Sequence, residues 1–317
     1  MVPSAQIQMG RPLAPRVAFC HNLGLTIFGP CSERGECCEM QGMLSLLYEY
    51  PDDDRIFNMI NRYRIRFPPS NSQKLEQDEI FFTLIEDGEE KRLRFHDYNE
   101  IYKRPGLYEQ LFYERLGCNS PGKVADLLQR ALITVREPVT ELRVIDLGAG
   151  NGMMGEVLKR EGVARLVGTD IIPEARDAAY RDRSTVYDDY YIGDFSNLDA
   201  GVFEELREWR FNCLTCVAAL GFGDIPPRAF FTAMKLVRTD GWLAFNIKET
   251  FLDHTEHTGF SRLIRELIFS KYLDIYHLER YRHRLSMEGT QLFYYAVVGR
   301  MTASIPPDFL QQCGVKD

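Results

Sequence analysis

The sequence lacks any long apolar run. Its longest weakly polar stretch, 211–223, contains Asn212 and Thr215 and is shorter than the ~20 apolar residues that a membrane-spanning helix needs. We therefore expect no transmembrane helix. A secretory signal core is not predicted either, because His21 and Asn22 interrupt the first apolar run. These absences favour a cytoplasmic protein.

Basic residues are in the minority. Lysine and arginine number 38 against 46 aspartate and glutamate residues, which gives a net charge of −8. Because proteins dedicated to nucleic acids usually carry a basic face, this balance disfavours a nucleic-acid partner. The composition, 45% hydrophobic and 26% charged, is typical of a globular chain, and 317 residues allow one large domain or two smaller ones.

The cysteines nearest the N-terminus lack the spacing of a metal centre. Cys20, Cys31, Cys37 and Cys38 contain no paired Cys-x-x-Cys arrangement, and side chains of adjacent residues such as Cys37 and Cys38 usually point apart. We expect no bound metal, and we expect the eight cysteines of the chain to be free thiols, as is usual inside cells.

The hydrophobic pattern of the sequence changes near residue 142. From Leu142 onward, short apolar strands alternate with amphipathic helices, which is typical of a parallel sheet covered by helices. The last strand follows its predecessor through a polar loop without a helix, which predicts an antiparallel pair at one sheet edge. The predicted strands are 142–147, 165–169, 188–192, 211–217, 241–247, 273–280 and 292–299.

Residues 1–139 are predicted to form an N-terminal extension, and 140–317 the sheet domain. Within the extension, Asp87-Gly88 between two β-prone runs indicates a hairpin. Ser120 and Pro121 suit the cap and first residue of a helix. An extension of this size ahead of the sheet is expected to act as a cap over the substrate.

The most informative segment is a glycine-rich loop. It joins the first strand of the sheet to a helix, where glycine backbones let a ligand approach closely and where open α/β sheets bind nucleotides. Its spacing, Asp-x-Gly-x-Gly-x-Gly, is neither that of dinucleotide enzymes nor that of a Walker loop. Asp146, directly ahead of the glycines, would repel a pyrophosphate but attract a sulfonium compound with an ammonium group.

Two more carboxylates end the next two strands. Asp170 follows Gly152 by eighteen residues and is placed to accept hydrogen bonds from ribose hydroxyls; alone, it would be interpreted as a solvated strand end. Asp194 can accept a hydrogen bond from an adenine amino group while Phe195 packs on the ring. The alternative for Asp194 is a cap on the segment at Ser196.

A fourth feature, Val217-Ala218-Ala219-Leu220, follows the fourth strand. The glycine loop, Asp170, the step at Asp194 and this segment occur in the order found in the class I S-adenosylmethionine-dependent methyltransferases, which the sequence from 142 to 299 resembles. The resemblance implies S-adenosyl-L-methionine as cofactor and an α/β, Rossmann-like seven-stranded sheet of order 3-2-1-4-5-7-6 with strand 7 antiparallel. The segment Leu220–Pro227 is further similar to methyltransferase-like proteins of the Williams-Beuren region. The residues expected to bind the cofactor are Tyr98, Tyr102, Asp146, Gly148, Ala149, Gly150, Gly152, Asp170, Ile171, Asp194, Phe195 and Val217.

Tyr98 and Tyr102 belong to the extension. Four residues apart, they would share one face of a helix and could form a lid that keeps water from the methyl donor. The alternative is that both rings simply pack the extension onto the core.

Sequence motifs indicate the methyl acceptor less clearly than the cofactor. Methyltransferases that act on amides or exocyclic amines of bases usually carry Asn/Asp-Pro-Pro-Tyr/Phe after the fourth strand, which this chain lacks. Candidates for a general base are Glu249, His254 and His257, which follow the fifth strand. We expect an enzyme that methylates a small molecule by in-line transfer. The alternatives are a protein or RNA methyltransferase and a cofactor-binding partner protein without catalysis; a homodimer is possible.

Overall fold

The computed structural model describes residues 62–69, 79–220, 224–252 and 259–315. Cys20, Cys31, Cys37 and Cys38 lie outside these ranges, as do the candidate bases His254 and His257. The four cysteines within them are free thiols: Cys118, Cys213, Cys216 and Cys313. No helix of the described ranges is long and apolar enough to cross a membrane.

A small antiparallel sheet precedes the main one. It consists of β1 (Arg64–Arg66), β2 (Phe81–Glu86) and β3 (Glu89–Arg94), in that order. Asp87 and Gly88, which connect β2 to β3, both adopt positive φ (54° and 84°), the geometry of a tight hairpin turn.

The main sheet has seven strands, and its order and directions confirm the prediction. The order is β6-β5-β4-β7-β8-β10-β9, which is 3-2-1-4-5-7-6 when counted within this sheet. The pairs from β6 to β8 are parallel, whereas β10 is antiparallel to both β8 and β9. The strands are β4 (Arg143–Leu147), β5 (Arg165–Asp170), β6 (Asp189–Ile192), β7 (Cys213–Leu220), β8 (Trp242–Lys248), β9 (Leu273–Leu285) and β10 (Gln291–Met301).

β9 and β10 are longer than predicted. Apolar alternation marks only part of β9, whose sequence continues with Arg280, Arg282 and Arg284. Cross-strand pairing with β10 nevertheless extends as far as Leu285 and Gln291. Charged residues are tolerated there because an edge strand can keep part of its surface in water.

Helices cover both faces of the main sheet. Leucine and phenylalanine side chains form one core cluster around Phe230 and Phe245, and a second one surrounds Leu128 and Trp242. The α-helices are α1 (Tyr98–Tyr102), α2 (Ser120–Val135), α3 (Met153–Arg160), α4 (Pro173–Asp182), α5 (Ala200–Glu208), α6 (Pro227–Met234), α7 (Phe260–Phe269) and α8 (Phe309–Gln312); a π-helix spans Glu109–Arg115, and 3-10 turns span Val139–Glu141 and Glu249–Leu252.

Helix α2 lies on the main sheet. Val124, Leu128 and Ala131, which recur at helical spacing, are buried in the same cluster as residues of β8 and β10. The helix ends at Arg136, whose left-handed φ of 61° caps its last turn. Although α2 belongs to the predicted extension by sequence number, its apolar face completes the core of the sheet.

The residues ahead of α2 build a separate core. Phe95 meets both Phe82 and Phe112 edge to face, with ring centres 5.7 Å apart in each of these two pairs. Leu107, Leu111 and other buried residues of 65–116 complete this cluster. The small sheet and the π-helix are thereby held together as one unit of packing next to the main sheet.

A buried polar network connects α2 to the main sheet. The Asn246 amide nitrogen donates to the hydroxyls of Tyr281 (2.7 Å) and Ser120 (3.2 Å), and the Asn246 oxygen accepts from Ala218 N (2.7 Å). Ser120 Oγ also lies 2.6 Å from His283 Nδ1. Burial, together with the charge of Arg284, lowers the pKa of His283 to about 3.

Candidate active site

A cavity of about 470 Å³ opens at the carboxyl ends of the central strands. Its walls come from the loops after β4, β5, β6 and β7 and from the segment around α1. This is the edge at which open α/β sheets bind ligands, and the volume is within the ~300–1,000 Å³ usual for small-molecule sites.

The glycine loop forms one wall, with Gly148, Ala149 and Gly150 on the cavity surface. Gly148 (φ 69°) and Gly150 (φ 56°) have left-handed backbone angles that favour glycine. A Cβ added to Gly150 would lie 2.5 Å from the Tyr102 hydroxyl oxygen. Glycine is therefore required both for the turn and for the close approach of the tyrosine.

Asp170 shapes this loop as well as facing the cavity. Its Oδ2 accepts a hydrogen bond from Gly150 N and its Oδ1 one from Ile172 N, both at 3.0 Å. Burial raises the pKa of Asp170 above its usual value. The carboxylate is thus held rigidly at the strand end, on the cavity wall, where a ribose hydroxyl can donate to it.

Asp146 is placed differently from the expectation that it would face the donor. Its Oδ1 accepts from Thr215 Oγ1 (2.6 Å) and its Oδ2 from Tyr187 OH (2.8 Å), beneath the loop. It is 1% exposed and burial raises its pKa to about 6. Gly152 is also absent from the cavity surface, because it starts α3 against Arg183 and Tyr187. Both residues support the loop from behind.

The remaining cofactor-binding candidates of the sheet line the cavity: Ile171, Asp194, Phe195 and Val217. Ile171 is 58% exposed although it is apolar, and Phe195 is 3% exposed. Asp194 Oδ1 accepts from Ser196 N at 2.8 Å, so Asp194 both caps this turn and reaches the cavity.

Tyr98 and Tyr102 form the opposite wall. They lie on α1, and their rings stack with centres 6.0 Å apart and planes inclined by 21°. The Tyr102 ring packs on Ala175 and Ala178 of α4 and is 6% exposed. Tyr108 continues this aromatic wall, 5.2 Å from Tyr102.

The sequence analysis missed several cavity residues, among them His96, Asp224 and Asn151. His96 Nδ1 lies 3.3 Å from Asp224 Oδ1, and both side chains are on the cavity surface. Asn151, 2% exposed, donates through Nδ2 to Glu109 Oε1 at 2.8 Å, while its buried Oδ1 has no hydrogen-bond partner among the described residues. For Asn151 the signal was its place inside the glycine loop; for the His96–Asp224 contact, across 128 residues, no local pattern existed.

The proposed bases after β8 gain no support from this geometry. Glu249 Oε2 accepts from Arg280 Nε at 2.7 Å, and Glu249 is not part of the cavity surface. Its carboxylate is therefore occupied on the edge-strand side of the sheet, whereas His254 and His257 lie outside the described residues. In the described part of the chain, no group of three or more His, Cys, Asp or Glu could hold a metal ion.

Residues 116–287 match the family model of a methyltransferase domain. Because the match spans more than half of the 317 residues, the chain belongs to this methyltransferase family. It is a class I enzyme fold with S-adenosylmethionine as its methyl donor. No curated protein sequence matches the chain.

Several solved structures are similar to this chain at low sequence identity. A Thermoplasma acidophilum protein is 16% identical with a TM-score of 0.42, over 64% of this chain and 97% of its own. A putative RNA methyltransferase from Pyrococcus horikoshii is 14% identical with a TM-score of 0.42, over 57% and 85%. Magnesium protoporphyrin IX methyltransferase from Synechocystis, solved with bound S-adenosylmethionine, is 13% identical with a TM-score of 0.40, over 57% and 79%.

The cavity residues fit this donor. Asp170 can hold the ribose, Asp194 and Phe195 the adenine, and the unpartnered Asn151 Oδ1 can accept from an ammonium group. When bound, the donor supplies a methyl group on a positively charged sulfur, whose departure leaves a neutral thioether.

Proposed function

We propose that this methyltransferase acts on a small molecule that enters the cavity beside the donor. The observation that carries the proposal is the aromatic wall: Tyr98, Tyr102 and Tyr108 line the cavity together with the glycine loop. A wall of aromatic rings excludes water and suits a compact acceptor, whereas a polymer needs an open groove.

The charge of the site also supports a small acceptor over RNA. The chain carries a net charge of −8, and the described lining of the cavity includes Asp170, Asp194 and Asp224 but no lysine or arginine. Phosphate groups would be repelled by these carboxylates, since RNA-binding surfaces gain most of their affinity from basic side chains.

Labelling with S-adenosylmethionine that carries a tritiated methyl group tests the proposal. The protein is incubated with a cell extract separated into metabolites below ~1 kDa, proteins and RNA. We expect label to appear in the metabolite fraction. The label should be lost with the Asp170→Asn variant and should persist with the control variant Asp177→Asn, because the Asp177 side chain is 69% exposed. Label confined to protein or RNA would replace the proposal by its macromolecular alternative. Donor binding without transfer to any fraction would favour a partner protein without catalysis.

A further inference from the structure

Asp224 is the carboxylate in the cavity that the donor does not explain. Asp170 and Asp194 end strands β5 and β6, in the positions that suit ribose and adenine. Asp224 instead follows β7 and contacts the imidazole of His96, which comes from the segment after β3. Its Oδ1 is 3.3 Å from His96 Nδ1, and its side chain is 36% exposed. Among the described residues, no hydrogen bond occupies its Oδ2.

The imidazole that contacts this carboxylate belongs to a row of aromatic rings. The His96 ring meets Tyr98 edge to face, with centres 5.7 Å apart, and Tyr98 stacks on Tyr102. The negative charge of Asp224 reaches Tyr98: after burial, it is the strongest influence that raises the pKa of that hydroxyl. A carboxylate beside neutral aromatic faces is a favourable environment for an organic cation.

The rest of the cavity lining also favours a positively charged ligand. Its described residues include three aspartates and His96 but no lysine, arginine or glutamate. In the described part of the lining, the buried polar atom that lacks a partner is Asn151 Oδ1, a hydrogen-bond acceptor, since the amide nitrogen of Asn151 faces the Glu109 carboxylate. Arg284 lies behind this wall, 5.9 Å from the ring centres of Phe95 and Phe112, and is not part of the lining.

We propose that the methyl acceptor is an amine, bound as its ammonium ion by Asp224 beside the aromatic side chains of His96 and Tyr98. This inference rests on the proposed small-molecule function and names its substrate class. Before the nitrogen can accept a methyl group, one N–H bond of the ammonium breaks: the electron pair stays on nitrogen, and the proton passes to the His96–Asp224 pair. The new N–C bond then forms as the C–S bond of the donor breaks.

Binding to protein saturated with S-adenosylhomocysteine, the demethylated product, tests the substrate class without turnover. The probes are two matched triplets that differ only in the charge of the side chain: tyramine, tyrosol and 4-hydroxyphenylacetate, and tryptamine, tryptophol and indole-3-acetate. Calorimetry should show each amine binding at least about tenfold more tightly than its alcohol and its acid, because a charge-assisted hydrogen bond is the stronger one.

Two variants locate the preference. Asp224→Asn should remove most of the preference for amines while the affinity for S-adenosylhomocysteine stays within about twofold, which also shows that the variant is folded. Asp177→Asn removes one negative charge on α4, outside the cavity, and should keep the preference.

The inference is overturned if the alcohols or acids bind as tightly as the amines, if neither amine binds at millimolar concentration, or if Asp224→Asn keeps the preference. The last result would leave the His96–Asp224 contact as a structural link between two loops. Failure of the proposed function is a separate result, recognised by label that enters only macromolecules or by protein that does not bind S-adenosylhomocysteine.

Discussion

The two walls of the cavity consist of different chemical groups. On the sheet side, backbone turns and strand-end carboxylates dominate, and Asp170 is fixed by the amides of Gly150 and Ile172. On the other side, aromatic side chains from α1 and the residues after it, such as Tyr98 and Tyr102, make the surface. A wall of backbone groups tolerates little change in shape, whereas a wall of side chains can change its shape and polarity by single substitutions.

Two buried polar networks lie in and beside the main sheet. Behind the glycine loop, Asp146 is held by Thr215 and Tyr187. Between α2 and the sheet, His283 contacts Ser120, the first residue of α2. One network buries an acid and the other a base, so pH affects the two regions in opposite directions.

Truncating the aromatic wall should have the largest effect. Tyr102→Ala removes a ring that is 6% exposed, and we expect the free energy of unfolding to fall by about 3–5 kcal/mol in chemical denaturation. Tyr180→Ala, on α4 but 43% exposed, is the control and should cost clearly less.

The same variant separates a lid from simple packing. If Tyr102 covers the donor, S-adenosylhomocysteine should also bind more weakly to the folded variant. A large loss of stability with unchanged affinity would contradict the lid and leave Tyr102 as a packing residue.

On the sheet wall, we expect Asp170→Ala to reduce affinity for S-adenosylhomocysteine by about 1.5–3 kcal/mol, more than tenfold, because hydrogen bonds to a charged carboxylate are lost. Calorimetry measures the change, and Asp177→Ala is the exposed control. Unchanged affinity in a folded variant would mean that Asp170 orders the loop without touching the ligand.

Acid titration compares the two networks directly. Since burial lowers the pKa of His283 to about 3, this group stabilises the fold above pH ~6.5 and its contribution is lost as the pH falls. The contribution of Asp146 to stability has the opposite pH dependence. Because its pKa is raised to about 6, this contribution is complete below pH ~4 and is lost as the pH rises. Between about pH 4 and 6.5 the two effects oppose each other.

Replacing either His283 or Asp146 should reveal the pH dependence of stability that the other one causes. Relative to the unmodified protein, Asp146→Asn should make stability fall more steeply on acidification, and His283→Gln should make it fall less steeply or rise, each by about 2 kcal/mol across this range. Urea unfolding at several pH values supplies the measurement. Parallel curves for all three proteins would show that neither network titrates with folding.

The smallest expected effect lies where the walls meet. Gly150→Ala places a methyl group 2.5 Å from the Tyr102 hydroxyl, at a φ of 56°, and should destabilise by about 1–2 kcal/mol. Because Tyr102→Phe removes the obstructing oxygen, the double variant should recover about 0.5–1 kcal/mol of the Gly150→Ala loss. Strictly additive losses would mean that backbone strain alone forbids a side chain there.

How much the sequence could predict differs between the walls. Strand periodicity located the strands of the main sheet, and the resemblance to class I methyltransferases implied their order. The strand ends and the motifs of that resemblance identified Asp170 and Val217 as residues that do line the cavity. The spacing could not tell that Asp146 points beneath the loop, because its direction depends on Thr215 and Tyr187 from other strands. The His96–Asp224 contact follows only from the path of the chain in three dimensions.

The network around Ser120 limits how this enzyme could be recombined with its relatives. A chimaera joined after residue 139 would bring a foreign helix against the sheet and leave the inward-facing groups of Asn246 and His283 without the hydroxyl that they contact here. An unsatisfied buried group of this kind costs about 1–3 kcal/mol. Exchange of acceptor specificity by swapping segments should therefore succeed only when the junction lies upstream of Ser120, so that α2 is inherited together with the sheet.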